Sequence, residues 1–278
     1  MSLTLEQILK EKIVDKSFTG GGCIANSVKV KTINGKEYFV KQYDNPAINK
    51  AEANGLSEIK KSEAIRVPEV IYFDDSYLII EYIKSSHKVR NFSELFGRRF
   101  ADMHRFTAKS FGFYENNFIG STPQINLPNN TDWKTFYWEN RLLYQFKLAE
   151  RNGYSNSSLR KNILILENKI DQILTYNAKP SLLHGDLWGG NYIVDEKGEP
   201  CLIDPAVYYG DREADLAMTK IFGGFDSRFY AAYNESFPLP EGWQYRENIY
   251  KLYHILNHLN LFGTSYLHQA INLIEFYI

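Results

Sequence analysis

Three polar residues stand out by type and spacing: Asp186, Asn191 five positions later, and Asp204 eighteen positions after Asp186. They lie in His184-Gly185-Asp186-Leu187-Trp188-Gly189-Gly190-Asn191 and Ile203-Asp204-Pro205. Transfer of a phosphoryl group from a nucleotide needs this chemistry. One carboxylate positions the attacking hydroxyl, and hard oxygen ligands hold Mg²⁺ on the phosphates. Between Asn191 and Asp204 the chain reads as a strand over 192–194, a tight turn at 195–198 and a return strand over 201–203. Such a hairpin carries Asn191 and Asp204 to one end. Gly-Asp and Ile-Asp-Pro could be plain turns, but the agreement of spacing with folding pattern favours a site.

A complementary half is legible nearer the N-terminus. Gly20, Gly21 and Gly22 sit between two extended runs, where backbone N–H groups can approach phosphate oxygens without Cβ interference. Lys41 ends the strand after the Asn34-Gly35 turn. Glu52 falls on the otherwise apolar stripe Ile48, Ala51, Gly55, Leu56 and Ile59 of the next helix. A carboxylate there is costly unless paired, and Lys41 is the natural partner, free also to reach phosphates. The strand 78–83 ends where two lobes should join. In a kinase-like fold that junction presents backbone groups to adenine, and the Glu81 carbonyl and the Ile83 amide are the candidates, with Ile80 at the back of the pocket.

These residues need a scaffold of two kinds. Residues 1–83 read as an antiparallel sheet with one helix over 46–61, including a type I′ hairpin at Asn34-Gly35. Residues 84–278 read as mostly helical, with helices over 93–107, 131–152, 158–176, 211–222, 242–262 and 265–277. Ser93 and Thr131 are the expected N-caps. Residues 111–130 read as loop. The expected class is therefore α+β, a small nucleotide-binding lobe (1–83) joined to a larger catalytic and substrate-binding lobe (84–278).

Composition narrows the options. Lys plus Arg is 32 and Asp plus Glu is 33, a formal charge of −1, which argues against a nucleic-acid binder. No apolar run approaches the roughly 18 residues of a membrane span, and residues 1–16 lack the apolar centre of a signal peptide. The expectation is a cytoplasmic protein without a membrane partner. Two cysteines, Cys23 and Cys201, are too few for a disulfide framework.

The chain resembles the fructosamine kinase (ketosamine-3-kinase) family, a branch of the aminoglycoside-phosphotransferase and protein-kinase-like fold. The resemblance runs nearly end to end. It rests on Thr19-Gly20-Gly21-Gly22-Cys23-Ile24, Phe39-Val40-Lys41, Phe118-Ile119-Gly120-Ser121-Thr122-Pro123-Gln124, His184 through Asn191, and the long run from Ile203 to Met218. It implies ATP-dependent phosphorylation of the 3-hydroxyl of ketosamines, free or on glycated proteins, by a monomer or homodimer. It assigns Asp186 as catalytic base or hydroxyl-orienting residue, Asn191 and Asp204 to Mg²⁺, and Lys41 with Glu52 to the phosphates. One departure is Asp211, where some relatives carry His after Tyr-Tyr-Gly. Asp204-Pro205-Ala206 replaces the protein-kinase Asp-Phe-Gly, so a flipping switch is not expected.

On the acceptor side Trp188, Asp211 and Arg212 are candidate substrate contacts, and Asp215 a brace for the catalytic loop. Trp133, Tyr137, Trp138 and Arg141 share one helical stripe, which favours core over an acceptor wall. His254 and His258, opposite the Leu252–Ile255–Leu259 stripe, read as a surface face, and His104 as structural. Cys23, after the three glycines, is a candidate redox site through a disulfide between two copies. A kinase of another small hydroxyl compound, of aminoglycoside or choline type, and an inert nucleotide-binding module are the alternatives.

Overall fold

Side-chain alternation builds the first sheet. The computed structural model describes residues 3–18 and 25–278. Strands β1 (Ile13–Phe18), β2 (Ala25–Thr32), β3 (Glu37–Tyr43), β4 (Val70–Phe73) and β5 (Leu78–Glu81) pair antiparallel in the order β1-β2-β3-β5-β4. On β5, Ile79 faces one side and joins Val30 and Val40, covered by Leu5, Ile8 and Leu9 of helix α1 (Leu5–Leu9). Leu78 and Ile80 face the other side and meet Ala53, Leu56 and Ile59 of α2 (Ala47–Lys61). A period of two on the strand and a stripe on the helix thus make a two-layer lobe.

The β2–β3 turn differs from expectation. Only Gly35 takes positive φ (80°), and the Thr32 amide donates to the Lys36 carbonyl (2.9 Å). This is a three-residue loop closed by a left-handed glycine, which Asn34 can join without strain.

The remainder is helical with three short hairpins or ladders. Helix α3 (Phe92–His104) packs on α9 (Ser227–Ser236). Within 111–130, expected as loop, β6 (Asn117–Ile119) and β7 (Thr122–Gln124) form a hairpin. Helix α4 (Trp133–Tyr137) starts after an Asp132 cap whose carboxylate accepts the Thr135 amide (2.8 Å), one residue beyond the expected Thr131. It continues through a π-helical turn, Trp138–Leu143, into α5 (Tyr144–Arg151). The expected single helix over 158–176 is two, α6 (Ser157–Glu167) and α7 (Ile170–Ile173). Strand β8 (Ser181–Leu183) pairs with β11 (Tyr208–Gly210), and β9 (Tyr192–Val194) with β10 (Pro200–Leu202). Helices α8 (Arg212–Thr219), α10 (Trp243–Phe262) and α11 (Leu267–Glu275) complete the lobe, with a 3₁₀ turn at Thr264–Tyr266. Trp133, Tyr137, Trp138 and Arg141 are all buried, as the core reading of that stripe expects.

Two of the contacts between the lobes bear directly on the site. A Cβ on Gly55 of α2 would stand 3.2 Å from the Pro205 side chain, so this helix lies directly on the segment after Asp204. Behind the β5 end, Arg66 bonds Glu81 (2.6 Å), Asp195 and Glu196 (both 2.7 Å). No helix among the described residues is long and apolar enough to cross a membrane.

Candidate active site

The β9–β10 hairpin does what its sequence pattern requires. The Ile203 amide donates to the Asn191 carbonyl (3.1 Å), so the two ends of the hairpin, and with them Asn191 and Asp204, are neighbours. Strand β8 delivers the loop 184–191. Within it Gly185 has φ 83°, and a Cβ there would lie 2.0 Å from the Ala206 carbonyl oxygen, so only glycine lets the two segments close. Asp215, buried on α8, accepts the amides of His184 (2.6 Å) and Gly185 (2.8 Å) and faces His104 Nε2 (3.2 Å). The loop is therefore hung from a buried carboxylate, the brace that the sequence suggests.

Asn191 gives its amide N–H to the Asp186 carbonyl (2.8 Å) and carboxylate (3.3 Å), which leaves its own amide oxygen available. Burial, with the Asp204 and Asp215 charges, pushes the Asp186 carboxyl well above the usual carboxylate range. A cation between Asp186 and Asp204 would remove that penalty. Among the described residues no group of three or more His, Cys, Asp or Glu cages a metal alone. The Asn191 amide oxygen and the Asp204 carboxylate are hard donors of the kind that Mg²⁺ accepts alongside phosphate and water.

From the sheet side, Lys41 Nζ lies 2.6 Å from Glu52 and also bonds Asp204, and the Tyr43 hydroxyl donates to Glu52. Burial works against the lysine charge, but the Asp204 and Glu52 carboxylates outweigh it and hold Lys41 above its ordinary pKa. The expected ion pair is formed, and α2 places it against Asp204 and the segment that follows. Asp204 itself has φ 54°, a left-handed conformation that aspartate tolerates better than most residues.

Lys41, Tyr43, Glu52, Asp186, Asn191 and Asp204 line one cavity of about 670 Å³. Glu81 and Ile83 line it too, at the end of β5, with Ile80 behind them; the Glu81 carboxylate is turned to Arg66. Trp188 lines its outer end at 40% exposure. Gly20, Gly21, Gly22 and Cys23 lie outside the described residues.

The profile of the family described as fructosamine kinase matches residues 2–278. The chain belongs to the fructosamine kinase family. Its relatives include the protein-ribulosamine 3-kinase, chloroplastic, of Arabidopsis thaliana, 41% identical over 269 residues, covering 93% of this chain and 81% of that one. A probable ketoamine kinase of Enterococcus faecium is 37% identical over 92% of each chain. In structure, a candidate fructosamine-3-kinase from Thermobifida fusca superposes with a TM-score of 0.90 at 31% identity, covering 98% of this chain and 96% of that one. An ADP-bound aminoglycoside phosphotransferase, at 15% identity and a TM-score of 0.63, covers 96% and 94% and shares the fold.

Against this fructosamine kinase frame, two expected substrate contacts are elsewhere. Asp211 is fully buried, caps α8, and accepts the Tyr176 and Tyr250 hydroxyls. Arg212 is buried on Phe237 and donates to the Phe237 carbonyl (2.6 Å), the Pro238 carbonyl and the Tyr233 hydroxyl. Neither lines the cleft, because both serve the start of one buried helix. The two histidines are also not a surface face: His254 is buried, and His258 lines the cleft with Phe222, Phe262 and Tyr266. The near absence of charge in residues 252–278, where only Glu275 is formally charged, was the available signal.

Proposed function

We propose that the chain is an ATP-dependent kinase that phosphorylates the 3-hydroxyl of ketosamines, free or carried on glycated proteins. The observation that carries this reading is the convergence of Asp186, Asn191, Asp204 and the Lys41–Glu52 pair in one cleft of a fructosamine kinase family member. In this reading Asp186 aligns the acceptor hydroxyl and takes its proton as the oxygen bonds to the γ-phosphorus. The bond from that phosphorus to the bridging oxygen breaks, and ADP leaves. Asn191 and Asp204 would hold Mg²⁺, which supplies charge neutralisation on the phosphates. Lys41, steadied by Glu52, ties the phosphates to the sheet. The Glu81 carbonyl and Ile83 amide receive adenine at the junction of lobes 1–83 and 84–278. Gly20, Gly21 and Gly22 are assigned to the phosphates by sequence.

The test is ATP consumption by the purified protein with a fructosyl or ribulosyl amine, kanamycin or choline, followed by analysis of the product. The ketosamine should stimulate turnover most, with phosphate on O3. Preference for kanamycin or choline without ketosamine turnover rejects the reading.

A further inference from the structure

The cleft has a second end that the phosphoryl chemistry does not use. Five rings from three parts of the chain line it. Trp188 of the catalytic loop meets Phe222 at 6.2 Å between centroids, and Phe222 meets His258 of α10 at 4.7 Å. His258 in turn lies 5.4 Å from Phe262 and 5.2 Å from Tyr266. These rings share the cavity that holds Asp186. Trp188, Phe222 and Phe262 are 40%, 41% and 53% exposed, so a contiguous aromatic surface faces solvent beside the reacting group. Single exposed apolar residues are ordinary, but a continuous patch at a catalytic centre marks a binding surface.

The wall is as informative in what it contains as in where it lies. None of the five is acidic or permanently charged. His258 Nδ1 stands 2.8 Å from the His254 carbonyl oxygen, which fixes the proton on Nδ1 and leaves Nε2 as an acceptor. Burial holds the His258 pKa below its ordinary value, so the ring is neutral at pH 7. A polycation would demand carboxylates here and an anion would demand a cation. Neutral rings with one acceptor nitrogen suit a single ammonium carrying an apolar arm, through cation–π contact and burial of carbon.

A ketosamine has that form. Its protonated secondary amine sits on C1, with only C2 between C1 and the carbon bearing the reacting hydroxyl. With O3 at Asp186, the nitrogen and its substituent extend only a short way beyond the catalytic loop. We infer that the amine half of the acceptor seats on His258, Phe262 and Tyr266, with Phe222 and Trp188 continuing the wall to Asp186, and that these rings select the N-substituent. The inference rests on the ketosamine reading and adds the specificity determinants to it.

The experiment compares two ketosamines of the same sugar, fructosyl-benzylamine and fructosyl-glycine, in wild type, Phe262→Ala, Tyr266→Ala and Phe262→Tyr. An aromatic contact of about 1.4 kcal/mol corresponds to tenfold, so wild type should prefer the benzyl substrate about tenfold in kcat/KM. Each alanine variant should cut that ratio to about twofold through the KM of the benzyl substrate, and Phe262→Tyr should keep it. Phe262 is half-exposed, so its truncation leaves the core packed. Turnover of both substrates with an unchanged ratio in both alanine variants overturns this inference alone. No turnover of either by wild type removes it together with the ketosamine reading.

Discussion

The two ends of the cleft are built on opposite principles. At the inner end Lys41 pairs with Glu52 and Asp204, and Asp186 lines the same cavity; β3, α2, the 184–191 loop and the segment after β10 deliver them. At the outer end the lining is largely aromatic, with a neutral histidine, and none of the residues that α10 and the 3₁₀ turn contribute to it is a carboxylate. Charge is concentrated at the end proposed to hold the phosphoryl group and withdrawn at the end proposed to choose the acceptor. On that reading the inner end answers to the reaction and the outer end to one class of molecule.

Separate kinetic signatures should follow from that division. The largest effect belongs to the inner end. Asp186→Asn should lower kcat about 10²–10⁴-fold, the range for general-base groups, while ATP binding measured by calorimetry persists. Retention of wild-type turnover would remove Asp186 from the chemistry.

Gln124 is where the two ends are joined. Its amide donates to the Ala206 carbonyl (3.0 Å), beside Asp204, and to Asn117 (2.9 Å), and its oxygen accepts the Tyr253 hydroxyl of α10 (2.7 Å). Gln124→Leu leaves those buried groups unpaired and should cost about 2 kcal/mol in urea denaturation. It should also raise KM for both ATP and acceptor. A shift in one KM alone would show that the ends are independent.

The smallest effect concerns α10 itself. Burial drops the His254 pKa to about 3, and its Nδ1 has no hydrogen-bond partner among the described residues. The unfolded chain binds this proton near pH 6.5 and the native chain does not. Stability is therefore full above that pH and falls as pH is lowered, by about 1.4 kcal/mol per unit for this histidine. Between pH 7 and 5.5, His254→Leu should flatten the pH dependence of the urea midpoint by roughly one proton. An unchanged slope would mean that His254 is not held neutral.

What could be read from the sequence divides along the same line. The chemistry of phosphoryl transfer restricts residue types, so Asp186, Asn191 and Asp204 stand out by spacing. Glu52 stands out because a carboxylate on an apolar stripe demands a partner. Acceptor residues obey no such rule. His258 reads as surface because it lies opposite an apolar stripe, yet α10 is buried at every position from Leu252 to Asn257 and has no solvent-facing side there. Its far side is the cleft. The β6–β7 hairpin is hidden because three-residue strands rich in Asn, Pro and Gln show no alternation. Asp211 and Arg212 mislead because a buried polar pair at a helix start has the composition of a binding site.

The segment after Asp204 has a pharmacological consequence. Its Ala206 amide donates to the His184 carbonyl (2.8 Å), Gln124 holds the Ala206 carbonyl, and Asn117 holds that of Val207 (2.7 Å). Pro205 lies against Gly55, and Gly185 leaves no gap to Ala206. Inhibitors that win selectivity by prising this segment outward would have to break that whole set of contacts. A compound meant to distinguish this enzyme from other ATP users should instead extend from the nucleotide pocket onto the ring of Phe262.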